Sequence, residues 1–243
     1  MKDSVRAGPD TLAQQVAHQV AHQVAEVKPR LRGWLHLATA PLTLAAGVVL
    51  IALSPTAATR WGSTVYVASA VLLFSTSAVY HRGRWSPRAG DVLRRLDHAN
   101  IFLLIAGSYT PFSLLLLTGT ARVAMLVLVW SGALLGVAFR VLWIGAPRWL
   151  HTPVYMVLGS AAVGFLPQFT RGAERLGVGV GIVIMVLIAL GGLLYLTGGV
   201  VYGFRRPDPW PRFFGFHEVF HTLTIMAFAT HYVGVSLATY SLR

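Results

Sequence analysis

Seven stretches of this chain stay apolar for long enough to cross a lipid bilayer, and that constrains the fold more than any other feature. Reading the apolar runs between charged or turn-rich gaps places them at about 34–53, 62–80, 98–117, 121–139, 150–169, 177–201 and 215–238. A hydrocarbon core of roughly 30 Å needs about 20 helical residues to span it. Composition agrees: 55% of the residues are hydrophobic and 12% charged, with a mean hydropathy of +0.63, where soluble domains carry about a quarter charged residues. The expected fold is an all-α integral membrane protein, a bundle of seven transmembrane helices.

The net charge of +12 is distributed as topology rather than as a nucleic-acid surface. Of the 20 Lys and Arg, fifteen fall in the N-terminal segment, the 2–3 loop (Arg82, Arg84, Arg88, Arg94, Arg95), the 4–5 gap and the 6–7 loop; five fall on the other side. Cytoplasmic loops hold the Lys/Arg excess, so the N-terminus is expected inside and the C-terminus outside, in the cell membrane. Nucleic acid is not an expected partner. Membrane lipids are, and a homo-oligomer is compatible with the sequence. There are no cysteines, which excludes disulfides and thiolate metal ligands. The first 30 residues lack the apolar core of a cleavable signal, so the first span is expected to direct insertion.

Two domains are expected: a cytoplasmic tail, 1–30, and a membrane domain, 31–243. The tail carries "VAHQVAHQVAEV", with Leu12, Val16, Val20, Val24 and Val27 on one helical face and His18 and His22 opposite. It reads as an amphipathic helix on the inner leaflet or as a disordered segment. Gly132 and Gly136 form a GxxxG that implies close helix packing. Tyr109 and Pro111 in "GSYTP" are expected to shape a kink.

Ionisable groups inside a bilayer are costly and are usually paired or functional. Here the topology sends them to one depth. His81 closes span two with Ser77 one turn deeper, Asp97 opens span three, and "FGFHEVFH" puts His217 and His221 in the first turns of span seven. Positions i and i+4 share a helix face about one turn apart. That spacing suits two ligands of one Zn²⁺ at about 2.0–2.1 Å, and three imidazoles plus water make the open, catalytic type of site. His81 is the favoured third ligand, with His36, His98 and His151 as interfacial alternatives. Zinc lowers a water's pKa to about 7; Asp97 would serve as general base or water-orienting group and Ser77 as hydrogen-bond partner. HxxxH alone is weak, since His18 and His22 repeat it in a polar tail. Glu218 should point away from such a metal and pair with Arg205, Arg206 or Arg212. His231, far along span seven, is expected to be a packed or loop-side residue.

"STSAVYH" (75–81), "RLDHANIFLLIAGSYTP" (95–111) and "GFHEVFH" (215–221), with "KPRLRGWLH" before the first span, resemble the signature segments of the hemolysin III branch of the progestin and adiponectin receptor (PAQR) family. The resemblance covers residue 26 to the end. It implies seven helices with the N-terminus inside, and kinship with membrane hydrolases that include alkaline ceramidases. It also implies zinc held by His81, His217 and His221, with Ser77 and Asp97 at the serine and aspartate positions of the motifs. The function expected is zinc-dependent hydrolysis of an amide or ester bond in a membrane lipid. The alternatives are a non-enzymatic membrane-homeostasis or stress protein with structural zinc and, on the family name, a pore-forming hemolysin.

Overall fold

The structure is a computed structural model describing residues 29–143 and 145–243. The reading of the tail as an amphipathic helix, with His18 and His22, falls outside these residues. Eight α-helices are present among them: α1 (Trp34–Ala52), α2 (Ala57–Arg82), α3 (Pro87–Leu116), α4 (Gly119–Leu142), α5 (Arg148–Gly159), α6 (Leu166–Glu174), α7 (Val178–Phe204) and α8 (Phe216–Tyr240). α5 and α6, joined by the 3-10 turn Ala161–Phe165, together form one span, so the helices give seven elements long and apolar enough to cross a membrane.

Neighbours in sequence pack as neighbours in space: α1 on α2, α2 on α3, α3 on α4 and α7 on α8. α3 also touches α5, α6 and α8. It is the central helix, with 67% of its most apolar window buried against 17% for α7. The outer helices instead present bare aliphatic surface, such as Leu135, Leu142, Val178 and Leu193. An apolar exterior is stable only in lipid, where no water penalises it.

Two helices begin well before their apolar runs. α2 starts at Ala57, where Thr56 and Thr59 make reciprocal capping bonds. α3 starts at Pro87, behind a Ser86 hydroxyl that accepts from the Ala89 amide; proline at the first helical position sacrifices no hydrogen bond. Asp97 therefore sits about three turns inside α3 rather than at its start. Hydropathy locates the lipid-facing part of a helix, and caps locate its end.

The GxxxG glycines behave as expected. A side chain at Gly136 would run into the Phe102 ring, and one at Gly132 into Leu158. Tyr109 and Pro111, where a kink is expected, both lie inside α3. α3 is unbroken, and the Tyr109 hydroxyl reaches across to the break between α5 and α6, donating to the Gly159 carbonyl at 2.6 Å and accepting from the Ala162 amide at 3.0 Å. Backbone groups freed inside a membrane protein need such partners.

Candidate metal centre

α2, α3 and α8 bring their polar ends together at one end of the bundle. His217 and His221, one turn apart on α8, face His81 in the last turn of α2. The Nε2 atoms of His217 and His81 are 3.1 Å apart. Ring centroids stand 4.4 Å apart for His217–His221, 4.8 Å for His81–His217 and 5.4 Å for His81–His221. One nitrogen from each ring lies within 4.8 Å of the others. Asp97 Oδ2 is 3.6 Å from His81 Nε2, and the buried Ser77 hydroxyl lies beside that carboxylate.

The donor chemistry fits a divalent cation. Tetrahedral ligands at about 2.0–2.1 Å from an ion stand roughly 3.3 Å apart, near the His81–His217 separation. All three donors are imidazoles drawn from two helices, with His81 and His221 buried. The Asp97 carboxylate approaches His81 at Nε2, the nitrogen that also faces His217, so it borders the place an ion would occupy. His81, His217, His221, Asp97 and Ser77 thus occupy one site.

The alternative third ligands are accounted for differently. His98 is engaged at both nitrogens, by the Arg94 carbonyl at 2.7 Å and the Tyr202 hydroxyl at 3.2 Å. His151 packs against His98, Tyr155 and Tyr202. His231 is packed as expected, bonded to the Ile188 carbonyl at 3.2 Å and seated on Gly191.

His36 needs a correction. An interfacial role was expected, yet it is buried to 2% exposure and stacks face to face on His221, with centroids 3.9 Å apart and planes at 8°. It stands behind the triad as a wall, fixing the orientation of His221. Its place two residues into the first span, beside Trp34, disguised it as an interface residue.

Glu218 needs another. Its expected partners were Arg205, Arg206 or Arg212; the carboxylate instead accepts from Arg32 Nε at 2.8 Å and from the Gly215 amide at 2.9 Å, and is 1% exposed. The second contact is the acidic half of a capping box. The first ties the segment before α1 to the start of α8. Arg30 and Leu31 reinforce it with backbone bonds to the carbonyls of Arg212 and Phe213. Gly33 makes this crossing possible: its φ of 82° is open to glycine, and a Cβ there would stand 2.9 Å from His81 Cβ. Sequence spacing held no signal for Arg32 or Gly33, because their partners lie far along the chain.

A cavity of about 410 Å³ opens from the site. His36, Ser77, Asp97, His217 and His221 line one end, and Leu104, Ile105, Met185 and Leu196 are among its apolar walls. It continues to Phe112 and His231, fourteen positions beyond His217 on α8, or about 20 Å at the helical rise.

A seven-span helical membrane protein, with histidines of its second and seventh spans gathered beside an aspartate of the third, defines a class: a heptahelical protein with an intramembrane candidate metal centre. Comparison with known proteins places it more narrowly. A family model described as "Haemolysin-III related" matches residues 24–232. The chain is similar to a "Hemolysin-3 homolog" of Bacillus subtilis (strain 168), 30% identical over 187 residues, covering 76% of this chain and 81% of the relative. It is also similar to the "Hemolysin-3" of Bacillus cereus, 29% identical over 139 residues, covering 57% and 60%. A "Heptahelical transmembrane protein ADIPOR2" of Oryza sativa subsp. japonica is 29% identical over 187 residues, covering 73% and 82%. The chain belongs to the hemolysin III/PAQR family of multi-pass membrane proteins.

Proposed function

We propose that the protein is a zinc-dependent hydrolase of an amide or ester bond in a membrane lipid. One observation carries the reading: His217, His221, Asp97 and Ser77 line the head of a long apolar cavity, with His81 grouped beside them, rather than a closed core. His81, His217 and His221 would hold the ion. Zinc, when bound, supplies Lewis acidity towards a carbonyl and towards water at neutral pH. Asp97 would take a proton from the attacking water and return it to the leaving amine or alcohol. Ser77 would hold the carboxylate in place. The apolar cavity would receive the acyl chain and keep bulk water from the site. With the Lys/Arg excess at the same end of the bundle, that end would face the cytoplasm.

A second reading keeps the zinc without turnover. The three histidines come from two helices, so an ion held by them would also tie α2 to α8. The pore reading has less support, since a conducting path needs polar groups along its length and the cavity is walled mostly by aliphatic and aromatic side chains.

The test joins metal analysis to turnover. Purified protein should contain about one zinc per chain and release fatty acid from an amide or ester lipid panel. His217→Ala should lose both, whereas Asp97→Asn should keep the metal and lose the release. Zinc retained with no turnover on any lipid would favour the structural reading.

A further inference from the structure

The cavity that starts at the triad is apolar for most of its length and polar again towards its far end. His231 of α8 is 8% exposed and lines that end together with Tyr195 of α7, the two rings 5.7 Å apart. One edge of the imidazole is turned to the α7 backbone. Its Nε2 lies 3.2 Å from the Ile188 carbonyl, and a side chain at Gly191 would collide with Nε2 and Cδ2. A carbonyl only accepts, so Nε2 carries the hydrogen, and Nδ1 on the opposite side of the neutral ring is a bare acceptor. Nδ1 has no hydrogen-bond partner among the described residues, and neither has the Tyr195 hydroxyl. Buried polar groups are almost always paired, and leaving one unmet is costly.

The cavity stops at this point. Phe112 of α3 meets the His231 ring edge to face at 5.5 Å. One turn further along α3, α8 and α7, Leu116, Val235 and Ile184 are fully buried and outside the lining. His231 stands ten positions beyond His221, about 15 Å along the helix. That is the depth of one leaflet, half of a hydrocarbon core of roughly 30 Å. An extended chain with its head at the triad therefore finishes beside His231. A plain hydrocarbon end would leave both the nitrogen and the hydroxyl unmet.

We propose that His231 and Tyr195 recognise a hydroxyl group carried near the far end of the lipid chain, so that the ligand class is a hydroxylated long-chain acyl lipid. A hydroxyl both donates and accepts: it would donate to His231 Nδ1 and accept from the Tyr195 O–H. A ketone or an ether has nothing to give Nδ1, and a carboxylate would set its charge against the nitrogen lone pair. This assignment rests on the reading above in one respect, that an acyl chain enters the cavity, and needs neither zinc nor turnover.

The experiment titrates the full chain, purified in detergent, with saturated fatty acids long enough to span one leaflet and with their ω-hydroxy derivatives of equal length, reading Kd by calorimetry. Wild type should bind the ω-hydroxy acid about tenfold more tightly than the plain acid, as a satisfied pair of buried groups implies. His231→Phe keeps a flat ring without the acceptor; it should bind the plain acid as wild type does and lose the preference. Tyr195→Phe should reduce the preference, and decides the matter if His231→Phe does not fold. Equal affinity of wild type for the two acids, or a preference that these variants leave unchanged, overturns the hydroxyl site and leaves the hydrolase reading standing. Failure of every acid to bind overturns both, whereas zinc without turnover counts against the hydrolase reading alone.

Discussion

His36 is the residue whose position changes the picture of the site. Stacked on His221, it braces a candidate ligand of the proposed ion. His36→Phe should retain metal and His36→Ala should weaken its affinity by about tenfold, a second-layer effect, measurable by competition with a chelator. Arg32 and Glu218 make a further prediction. Removing one partner of a buried pair costs about 3–5 kcal/mol, and Arg32→Met should fall at or below the low end because Arg32 is 22% exposed. Thermal unfolding in detergent measures it, and the double change Arg32→Met with Glu218→Gln should recover part of the loss. At this scale the motif residues were readable because i, i+4 spacing and an intramembrane cost are local properties. Arg32, Gly33 and His36 were not, because what they touch lies some 50 to 190 positions away.

Helices were legible in number and unequal in detail. Seven apolar runs foretold seven spans, since a bilayer imposes length and composition directly. Their ends were set by other chemistry: the Thr56 box and Ser86 with Pro87 extend α2 and α3 beyond the apolar region. The division of the fifth span escaped a hydropathy reading because all its parts are apolar. Tyr109 holds that division, so Tyr109→Phe should remove two hydrogen bonds and leave the Gly159 carbonyl and Ala162 amide without it. A loss of about 1–3 kcal/mol is expected, seen in thermal melting, with hydrogen exchange rising first around residues 159–165.

At the scale of the molecule, the family and the membrane-spanning architecture agree, and the remaining question is which end faces inward. The absence of cysteines makes this accessible. Single cysteines at Trp85 and at Thr118, on opposite ends of the bundle, should react oppositely with a membrane-impermeant maleimide in intact cells: Thr118→Cys labelled, Trp85→Cys labelled only after permeabilisation. The reverse pattern would place the histidines at the outer face.

The clamp of Arg32 on Glu218, with Gly33 pressed against His81, joins the segment before α1 to α8. A ribosome that has delivered only six spans has released a chain whose His81 and Arg32 still await their counterparts. Closure of the centre therefore waits for α8, and a polypeptide shortened before Phe216 would reach the bilayer unlatched.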